Sequence, residues 1–284
     1  MEHINFEGLG LSLDINRVAI DLGFAKIYWY AIFIVLAAAL ALILCKKDDK
    51  KYNIDFENIL QLALLVLPIS IICARIYFVV FKLDYYIQHP NQLLSINNGG
   101  LAIYGGIIGA VITIAIFCKI KKIKVLDMFD FLVPFLALGQ AIGRWGNFFN
   151  SEAHGPEVSR KVLENLHIPK FVINGMNIDG VYYHPTFFYE SIWCLLGFII
   201  LIILKKKTKL RRGGLTGIYF IWYGVARFFI ESLRTDSLMI GSLKVAQIVS
   251  IILCALGLYL LFRKKKDTRL NRLKERMERY ARKI

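Results

Sequence analysis

Residues 143–152, GRWGNFFNSE, bring a cation, two amides and a carboxylate together directly after an apolar segment. The guanidinium of Arg144 can hold a phosphate group with two parallel hydrogen bonds. Glycines flank it, so the backbone is expected to bend sharply and to approach a ligand closely. Asn147 and Asn150 can donate hydrogen bonds to phosphate or hydroxyl oxygens, and Glu152 can orient an arginine or accept a hydroxyl proton. The pattern predicts a phospholipid headgroup site at a membrane surface.

Other charged residues lie within or beside long apolar segments, where a charge is costly and usually faces a cavity, a partner or a substrate. They are Arg75, Asp127, Asp130, Glu190, Arg227 and Glu231. Most of them fall toward the same membrane surface as Arg144. Arg144 and Arg227 at one surface predict an anionic group held between them. For Arg75 and Glu190 an alternative is that they form buried salt bridges that hold the helices together.

The elements that must position these residues are predicted to be membrane-spanning helices. Hydrophobic residues make up 57% of the 284 residues and the mean hydropathy is +0.53, more than the core of a soluble domain requires. About seven apolar segments are long enough to cross a bilayer as helices. Their approximate bounds are 27–45, 59–81, 100–118, 125–142, 186–204, 215–230 and 243–262. The expected fold class is an all-α integral membrane protein.

Basic residues predict the orientation. Most of the 36 lysines and arginines fall in alternate connections, at 46–51, 119–124, 205–212 and 263–283. The positive-inside rule therefore places the N-terminus outside and the C-terminus in the cytoplasm. The predicted regions are an external segment (1–26), four spans (27–143), the GRWGNFFNSE motif with a small external head (144–185), three spans (186–262) and a basic cytoplasmic tail (263–284).

The net charge of +15 does not predict nucleic-acid binding, because the basic residues flank spans, as topology and anionic headgroups require. Residues 267–284 are expected to be a solvated topology anchor or a short surface helix. The cysteines lie within or at the ends of spans without short paired spacings, which argues against a disulfide framework or a zinc site. They are Cys45, Cys73, Cys118, Cys194 and Cys254.

A glycine-rich segment, NGGLAIYGG at 98–106, leads into the third predicted span. Its glycines permit a tight turn and then close helix approach, for which packing alone is a sufficient reason at Gly105 and Gly109. Tyr104 has two possible places. Its phenol lies either in the aromatic belt at the outer interface or in the cavity, as a proton donor or acceptor.

The polar stretch 156–185 is predicted to form an outer subdomain with short strands or turns. Residues 171–175 and 181–183 are compatible with a small hairpin. The subdomain either receives a peptide substrate or forms a structural cap.

Several motifs, taken in order along the chain, carry a resemblance to a known family. They are Trp29-Tyr30, the double-glycine segment around Tyr104, GRWGNFFNSE with its extension to Gly155, HPTFFYE at 184–190, and YGVAR at 223–227 followed by Glu231 and Arg234. Over nearly its whole length the chain resembles prolipoprotein diacylglyceryl transferase. The resemblance implies a seven-span helical membrane protein with an external head.

The resemblance also implies the first step of bacterial lipoprotein maturation. The enzyme would transfer the diacylglyceryl group of phosphatidylglycerol to the thiol of the lipobox cysteine of a preprolipoprotein, forming a thioether and releasing glycerol phosphate. The implied partners are phosphatidylglycerol, lipobox peptides and membrane lipids, with no metal or organic cofactor. The implied location is the cytoplasmic membrane of a bacterial cell.

Individual roles follow from the same resemblance. Arg144 and Arg227 would stabilise negative charge on the leaving phosphate in a low-dielectric cavity, with Tyr104 as the third catalytic candidate. The residues implied to bind phosphatidylglycerol are Tyr30, Arg144, Asn147, Asn150, Glu152, Gly155, Tyr223 and Arg227, and those implied to support them are Glu190, Glu231 and Arg234.

The attacking thiol needs a proton acceptor. Many family members carry histidine at the position of Tyr104, and a tyrosine of ordinary pKa, about 10, accepts a proton poorly near neutrality unless an arginine stabilises the phenolate. Either Tyr104 only hydrogen-bonds the lipid, or Tyr30, Glu152, His154 or bulk water removes the proton. His184 precedes a proline and is expected to cap the start of the fifth span.

Three other functions fit the sequence less well. A transporter for an anionic solute would also place arginines in a cavity, but the chain has no internal repeat and its polar residues favour one surface. A metal-dependent lipid phosphotransferase needs more aspartates than Asp127 and Asp130. A scaffold that only binds precursors would not need the internal polar site. The outward bias of that site predicts lateral access for lipid from the outer leaflet.

Overall fold

Helices account for most of the described chain in the computed structural model, which describes residues 2–6, 11–15, 18–23, 26–46, 52, 54–94, 100–208, 210–235 and 237–263. The helices are α1 (Trp29–Lys46), α2 (Phe56–Phe81), α3 (Leu83–Gln88), α4 (Ile103–Ile120), α5 (Val125–Gly143), α6 (Trp145–Asn150), α7 (Arg160–Asn165), α8 (Lys170–Gly175), α9 (Thr186–Lys207), α10 (Gly214–Leu233) and α11 (Val245–Phe262). The predicted spans each correspond to one long helix, with bounds that move by up to a few residues.

Six helical segments of the described chain are long and apolar enough to cross a membrane. They are α1, α2, α4, α5 continued by α6, α9 and α11. The protein is therefore a mainly helical, multi-pass membrane protein. The predicted count of seven differs because the segment predicted at 215–230 forms α10, which is 20 residues long but less apolar, since it contains glycine, tyrosine, Arg227 and Glu231.

Burial separates the helices into a central group and a lipid-facing group. Half of the apolar window of α5–α6 is buried, but only 11% of the corresponding windows of α1, α2 and α11. Apolar side chains cover the outer faces of these three helices, as hydrocarbon requires for membrane-spanning segments. α5 contacts α1, α9 and α10, while α2 packs on α4 and α10 packs on α11. α5 is thus the central helix around which the site is assembled.

The two aspartates of α5 have structural partners. Asp130, which is 2% exposed, accepts hydrogen bonds from the Gly213 amide at 2.6 Å and from the Thr216 amide and hydroxyl at 2.8 and 2.7 Å. Its carboxylate therefore satisfies amide groups at the start of α10 that have no partner within that helix. Asp127 pairs with Arg212 at 2.5 Å. These contacts fix the start of α10 beside the start of α5.

Close glycine contacts hold α4 on α2. A Cβ added to Gly109 would lie 2.6 Å from the Cβ of Cys73, and one added to Gly105 would overlap Tyr77. The packing role expected for these two glycines is thus confirmed. The described cysteines are all free thiols.

Short strands add four antiparallel pairs outside the bundle. They are β1 (Glu2–Phe6) with β2 (Leu11–Ile15), β3 (Val18–Asp21) with β4 (Lys26–Tyr28), β5 (Asn177–Ile178) with β6 (Val181–Tyr182), and β7 (Met239–Ile240) with β8 (Leu243–Lys244). The first span therefore begins at Trp29, because residues 26–28 belong to a strand. The surface helix considered for 267–284 lies outside the described residues.

The head consists of α7, α8 and the β5–β6 hairpin. The hairpin predicted from 171–175 and 181–183 was wrong in its first arm, because residues 171–175 belong to helix α8. Val172 and Ile173 both point into the core of the head, a spacing that a half-buried strand would not allow. This core also contains Phe148 of α6 and Phe187 of α9, so the head is packed directly on the helices that bear the candidate site.

Candidate functional site

The chain passes through Arg144 without a sharp bend. Arg144 has helical dihedral angles, φ −62° and ψ −25°, and joins the end of α5 to the start of α6. The sharp bend that the flanking glycines permit is therefore not present at Arg144. Gly146 is needed for packing, because a Cβ there would overlap the ring of Tyr30. A Cβ at Gly143 would meet nothing within 4 Å. Gly146 allows α6 to lie directly against the start of α1.

Glu190 lies between the two predicted arginines. Its Oε1 accepts a hydrogen bond from Arg144 Nη2 at 2.6 Å, and its Oε2 accepts one from Arg227 Nη1 at 2.9 Å. The Glu190 side chain is 2% exposed, that of Arg227 12% and that of Arg144 21%. The arginines come together as predicted, and the anionic group between them is a carboxylate of the protein. The buried-ion-pair alternative for Glu190 is thus confirmed.

A second carboxylate balances the pair. Arg227 Nη2 lies 2.5 Å from Glu231 Oε2, one turn further along α10. The Tyr223 hydroxyl donates to Glu190 Oε1 at 3.3 Å. The cluster of Arg144, Arg227, Glu190 and Glu231 therefore holds two positive and two negative charges. Charge pairing of this kind lets ionised groups persist in a low-dielectric bundle, where a lone charge would be costly.

Helix ends explain why these residues meet. Arg144 follows the last residue of α5, Glu190 lies in the second turn of α9, and Arg227 lies in the last two turns of α10. The hydrogen bonds of Glu190 to both arginines bring these three helix ends together at one surface of the bundle. The starts of α1 and α4, with Tyr30 and Tyr104, belong to the same surface.

Tyr104 and Tyr30 both lie within electrostatic range of the cluster. The Tyr104 phenol interacts with Arg227 and Glu231, and the Tyr30 phenol with Arg144. Tyr104 is half-buried and Tyr30 is 38% exposed. Both phenols therefore lie close enough to the charge cluster to interact with it.

The amides of the motif converge on its own carboxylate. Asn147 Nδ2 and Asn150 Nδ2 each donate to Glu152 Oε1 at 3.1 Å. The Asn150 Oδ1 atom is buried, and the described residues offer it no hydrogen-bond donor. Such an acceptor is costly to leave unpaired, so it is suited to a hydroxyl donor from a ligand.

Gly155 and the two histidines of this region make contacts within the head and the start of α9. The Gly155 amide donates to the His184 carbonyl at 2.8 Å, and a Cβ at Gly155 would lie 2.8 Å from the Cβ of His184. His184 Nδ1 lies 3.1 Å from the Tyr189 hydroxyl, and the His154 ring packs on Tyr183. The capping role expected for His184 was wrong, because the N-cap residue of α9 is Pro185 and no side chain caps this helix. The contacts of Gly155 do not bring it to the arginines.

Arg75 and Arg234 make described contacts with groups outside the arginine–glutamate cluster. Arg75 donates hydrogen bonds to backbone carbonyls beyond the end of α2, at Gln92, Leu93 and Gly100. The Arg234 carbonyl accepts a hydrogen bond from Lys244 Nζ at 2.8 Å. Lys244 also donates to the Glu231 carbonyl at 2.7 Å and so fixes the last turn of α10.

Polar residues that sequence reasoning missed extend the cluster into the bundle. Gln140 Oε1 accepts a hydrogen bond from the Tyr219 hydroxyl at 2.9 Å, and Tyr219 stacks on Tyr223. Trp193 and Trp222 stack with each other, and each indole donates to the other's carbonyl at 3.0 Å. The one available signal was an amide, Gln140, in the apolar second half of α5.

The fold and the site together define a class: a multi-pass helical membrane protein with a charge-paired arginine site at one surface of its bundle. A family model described as prolipoprotein diacylglyceryl transferase matches residues 17–263. The chain is 49% identical to the phosphatidylglycerol--prolipoprotein diacylglyceryl transferase of Bacillus cytotoxicus over 258 residues, which cover 91% of this chain and 95% of that protein. It is 48% identical, with the same coverage, to the proteins of that name from Bacillus cereus strain 03BB102 and Bacillus thuringiensis subsp. konkukian. The chain belongs to the prolipoprotein diacylglyceryl transferase family.

Proposed function

We propose that this protein transfers the diacylglyceryl group of phosphatidylglycerol to the lipobox cysteine thiol of preprolipoproteins. Its relatives are named for this transfer, and the observation in this chain that carries the proposal is the Arg144–Glu190–Arg227 cluster. A carbon–sulfur bond forms at the glyceryl carbon while the carbon–oxygen bond to phosphate breaks. The leaving glycerol phosphate takes the bonding electron pair, and the thiol proton passes to an acceptor. No oxidation or reduction is needed.

Arg144 is the better placed of the two arginines to bind the lipid phosphate. In the described contacts only its Nη2 binds a carboxylate, whereas both terminal nitrogens of Arg227 do so. A guanidinium has five N–H donors, so Arg144 keeps donors for a phosphate oxygen. We assign to Arg144 the direct contact with the leaving phosphate. Arg227 is assigned the fixed positive charge beside it, where charge develops in the transition state.

The glycerol headgroup of the lipid is placed beside the motif amides. The unpaired acceptor of Asn150 suits a glycerol hydroxyl, and Glu152 offers a second acceptor. Candidates for the proton acceptor are Tyr104, Tyr30, Glu152, His154 and water. Tyr104 is a candidate because it lies at the start of α4, at the same end of the bundle as Arg227. Gly155 remains a predicted substrate-binding residue.

We propose that α10 is a seventh span, with the N-terminus outside the cytoplasmic membrane of a bacterial cell. α10 has 20 residues, which at about 1.5 Å per residue match the thickness of the hydrocarbon layer. It begins at the level of Asp130, near the start of α5, and reaches the level of Glu190 with Arg227. These contacts connect the two surfaces of the bundle and support a crossing.

The test is transfer of labelled diacylglyceryl from phosphatidylglycerol to a synthetic lipobox peptide by the purified protein. We expect a thioether product with the cysteine peptide and none with a cysteine-to-serine peptide. Arg144→Gln should lower the rate about 10²- to 10³-fold, as expected for removal of one charge-stabilising donor. Arg160→Gln changes an exposed arginine of the head and should leave the rate unchanged. No product from folded wild-type protein would contradict the proposal, and binding of the peptide without transfer would support a scaffold instead.

A further inference from the structure

Arg75 makes an unusual set of backbone contacts for an arginine in a span. It lies on α2, is 8% exposed, and donates through Nε to the Leu93 carbonyl at 2.8 Å and through Nη2 to the Gln92 carbonyl at 2.7 Å. Its Nη1 donates to the Gly100 carbonyl at 2.9 Å. The guanidinium also lies 5.2 Å from the ring centroid of Tyr86 in α3. One side chain therefore binds the backbone on both sides of residues 95–99.

The contact at Gly100 depends on the absence of a side chain. Gly100 has φ +89°, a conformation that favours glycine. A Cβ there would overlap Arg75 Nη1 and lie 3.1 Å from the ring of Phe78. The arginine and the glycine are therefore fitted to each other.

The same part of α2 holds the start of α4. The Ala102 amide donates to the Ala74 carbonyl at 3.1 Å, directly beside Arg75 in sequence. The Gly105 Cα faces the backbone of Cys73 and Ala74 without space for a side chain. Tyr104 lies between these two fixed points. Its distance from the arginine cluster is thus set from α2.

We propose that Arg75 is a positioning residue for Tyr104. By binding the carbonyls of Leu93 and Gly100 it fixes the chain next to the start of α4, and so sets the position of the Tyr104 phenol relative to Arg227. A neutral side chain would leave three partly buried carbonyls without these donors, and the start of α4 would move. This inference rests on the proposed function for its kinetic readout, but a second readout is independent of any transfer activity.

The kinetic experiment compares Arg75→Met, Arg75→Lys and Gly100→Ala with wild-type protein. Arg75→Met should lower kcat about 10- to 100-fold, because small displacements of reacting groups have effects of that size. Arg75→Lys should recover part of the loss, since one ammonium can reach only some of the carbonyls. Gly100→Ala should reproduce the Arg75→Met defect. Gly180→Ala is the matched control, because Gly180 has φ +86° but a Cβ there would meet nothing within 4 Å.

A double-mutant comparison tests whether Arg75 acts through Tyr104. If it does, Arg75→Met should change kcat little in a Tyr104→Phe background, because the effects of two substitutions that act through the same group are not additive. An equal fold-loss in both backgrounds would overturn the proposal and leave Arg75 with a general structural role.

The independent readout is the rate at which a maleimide labels Tyr104→Cys, measured by peptide mass spectrometry so that native cysteines do not interfere. We expect Arg75→Met or Gly100→Ala to change this rate several-fold, and Gly180→Ala to leave it unchanged. An unchanged rate in folded Gly100→Ala protein would overturn the inference. Absence of transfer by wild-type protein with a changed labelling rate would instead count against the proposed function alone.

Discussion

Replacement of Glu190 by glutamine is the sharpest test of the arginine cluster. The Glu190 carboxylate accepts hydrogen bonds from Arg144 at 2.6 Å, from Arg227 at 2.9 Å and from Tyr223 at 3.3 Å. Glutamine has one acceptor oxygen, so its NH₂ group must face one guanidinium, and donor would then oppose donor. The two arginines would also lose the negative charge between them.

The size of the effect follows from burial. Removing one partner of a buried ion pair costs about 3–5 kcal/mol. The arginine side chains are 12% and 21% exposed, so solvent screens part of the loss and the lower end of that range applies. We expect Glu190→Gln to lower the free energy of unfolding by about 3 kcal/mol, seen as a lower unfolding temperature in detergent. We also expect kcat to fall about 10²-fold, because the arginines that stabilise the leaving phosphate would no longer be held in place.

Two variants make the result specific. Glu190→Asp keeps the charge on a shorter side chain, and should retain the contact with only one arginine and give an intermediate rate. Glu164→Gln removes the exposed partner of Arg160 and should change neither rate nor unfolding temperature, since surface pairs contribute little. The assay is thioether formation with kcat and KM measured separately. Wild-type kcat and stability in Glu190→Gln would refute the idea that this carboxylate organises the arginines.

Two further predictions concern the supports of the site. Asp130→Asn should lower the unfolding temperature of the purified protein, because one oxygen must replace two that bind the amides at the start of α10, including that of Thr216; an unchanged temperature would contradict the capping role. Gly146→Ala should reduce transfer, because its Cβ overlaps the Tyr30 ring and must push α6 from α1. Gly143→Ala, whose Cβ meets nothing within 4 Å, should retain wild-type activity, and equal loss in both variants would exclude the packing explanation.

Hydropathy predicted the long helices because a span is a local property of the chain. The bounds of α5 agree with the predicted segment to one residue, although Asp127 and Asp130 interrupt its apolar pattern. Their partners, Arg212 and Thr216, lie more than eighty positions away in the sequence. Such a tertiary capping interaction leaves no local pattern, so the aspartates looked like functional charges.

The sequence predicted which residues lie in the site better than it predicted which of them contact each other. Arg144 and Arg227 were expected to share one surface, because each follows from the direction of its span and the position of its residue within it. That Glu190 would lie between them depends on how α9 is rotated about its axis, which packing against α5 and α10 decides. The packing role of Gly146 was missed for the same reason, since its neighbour Tyr30 belongs to another helix.

The paired charges also limit how a phospholipid can be bound. Two arginines and two glutamates are balanced before any lipid enters, so a phosphodiester adds a negative charge beside Glu190 in a low-dielectric site. That addition is tolerated best where more guanidinium N–H groups remain for the phosphate, and in the described contacts Arg144 uses one of its five donors on a carboxylate whereas Arg227 uses two. Both terminal nitrogens of Arg227 are engaged by carboxylates, which keeps its charge fixed while the leaving oxygen becomes more negative. The proposed division of roles, with direct phosphate binding by Arg144 and a preorganised charge from Arg227 and Glu231, is consistent with these contacts.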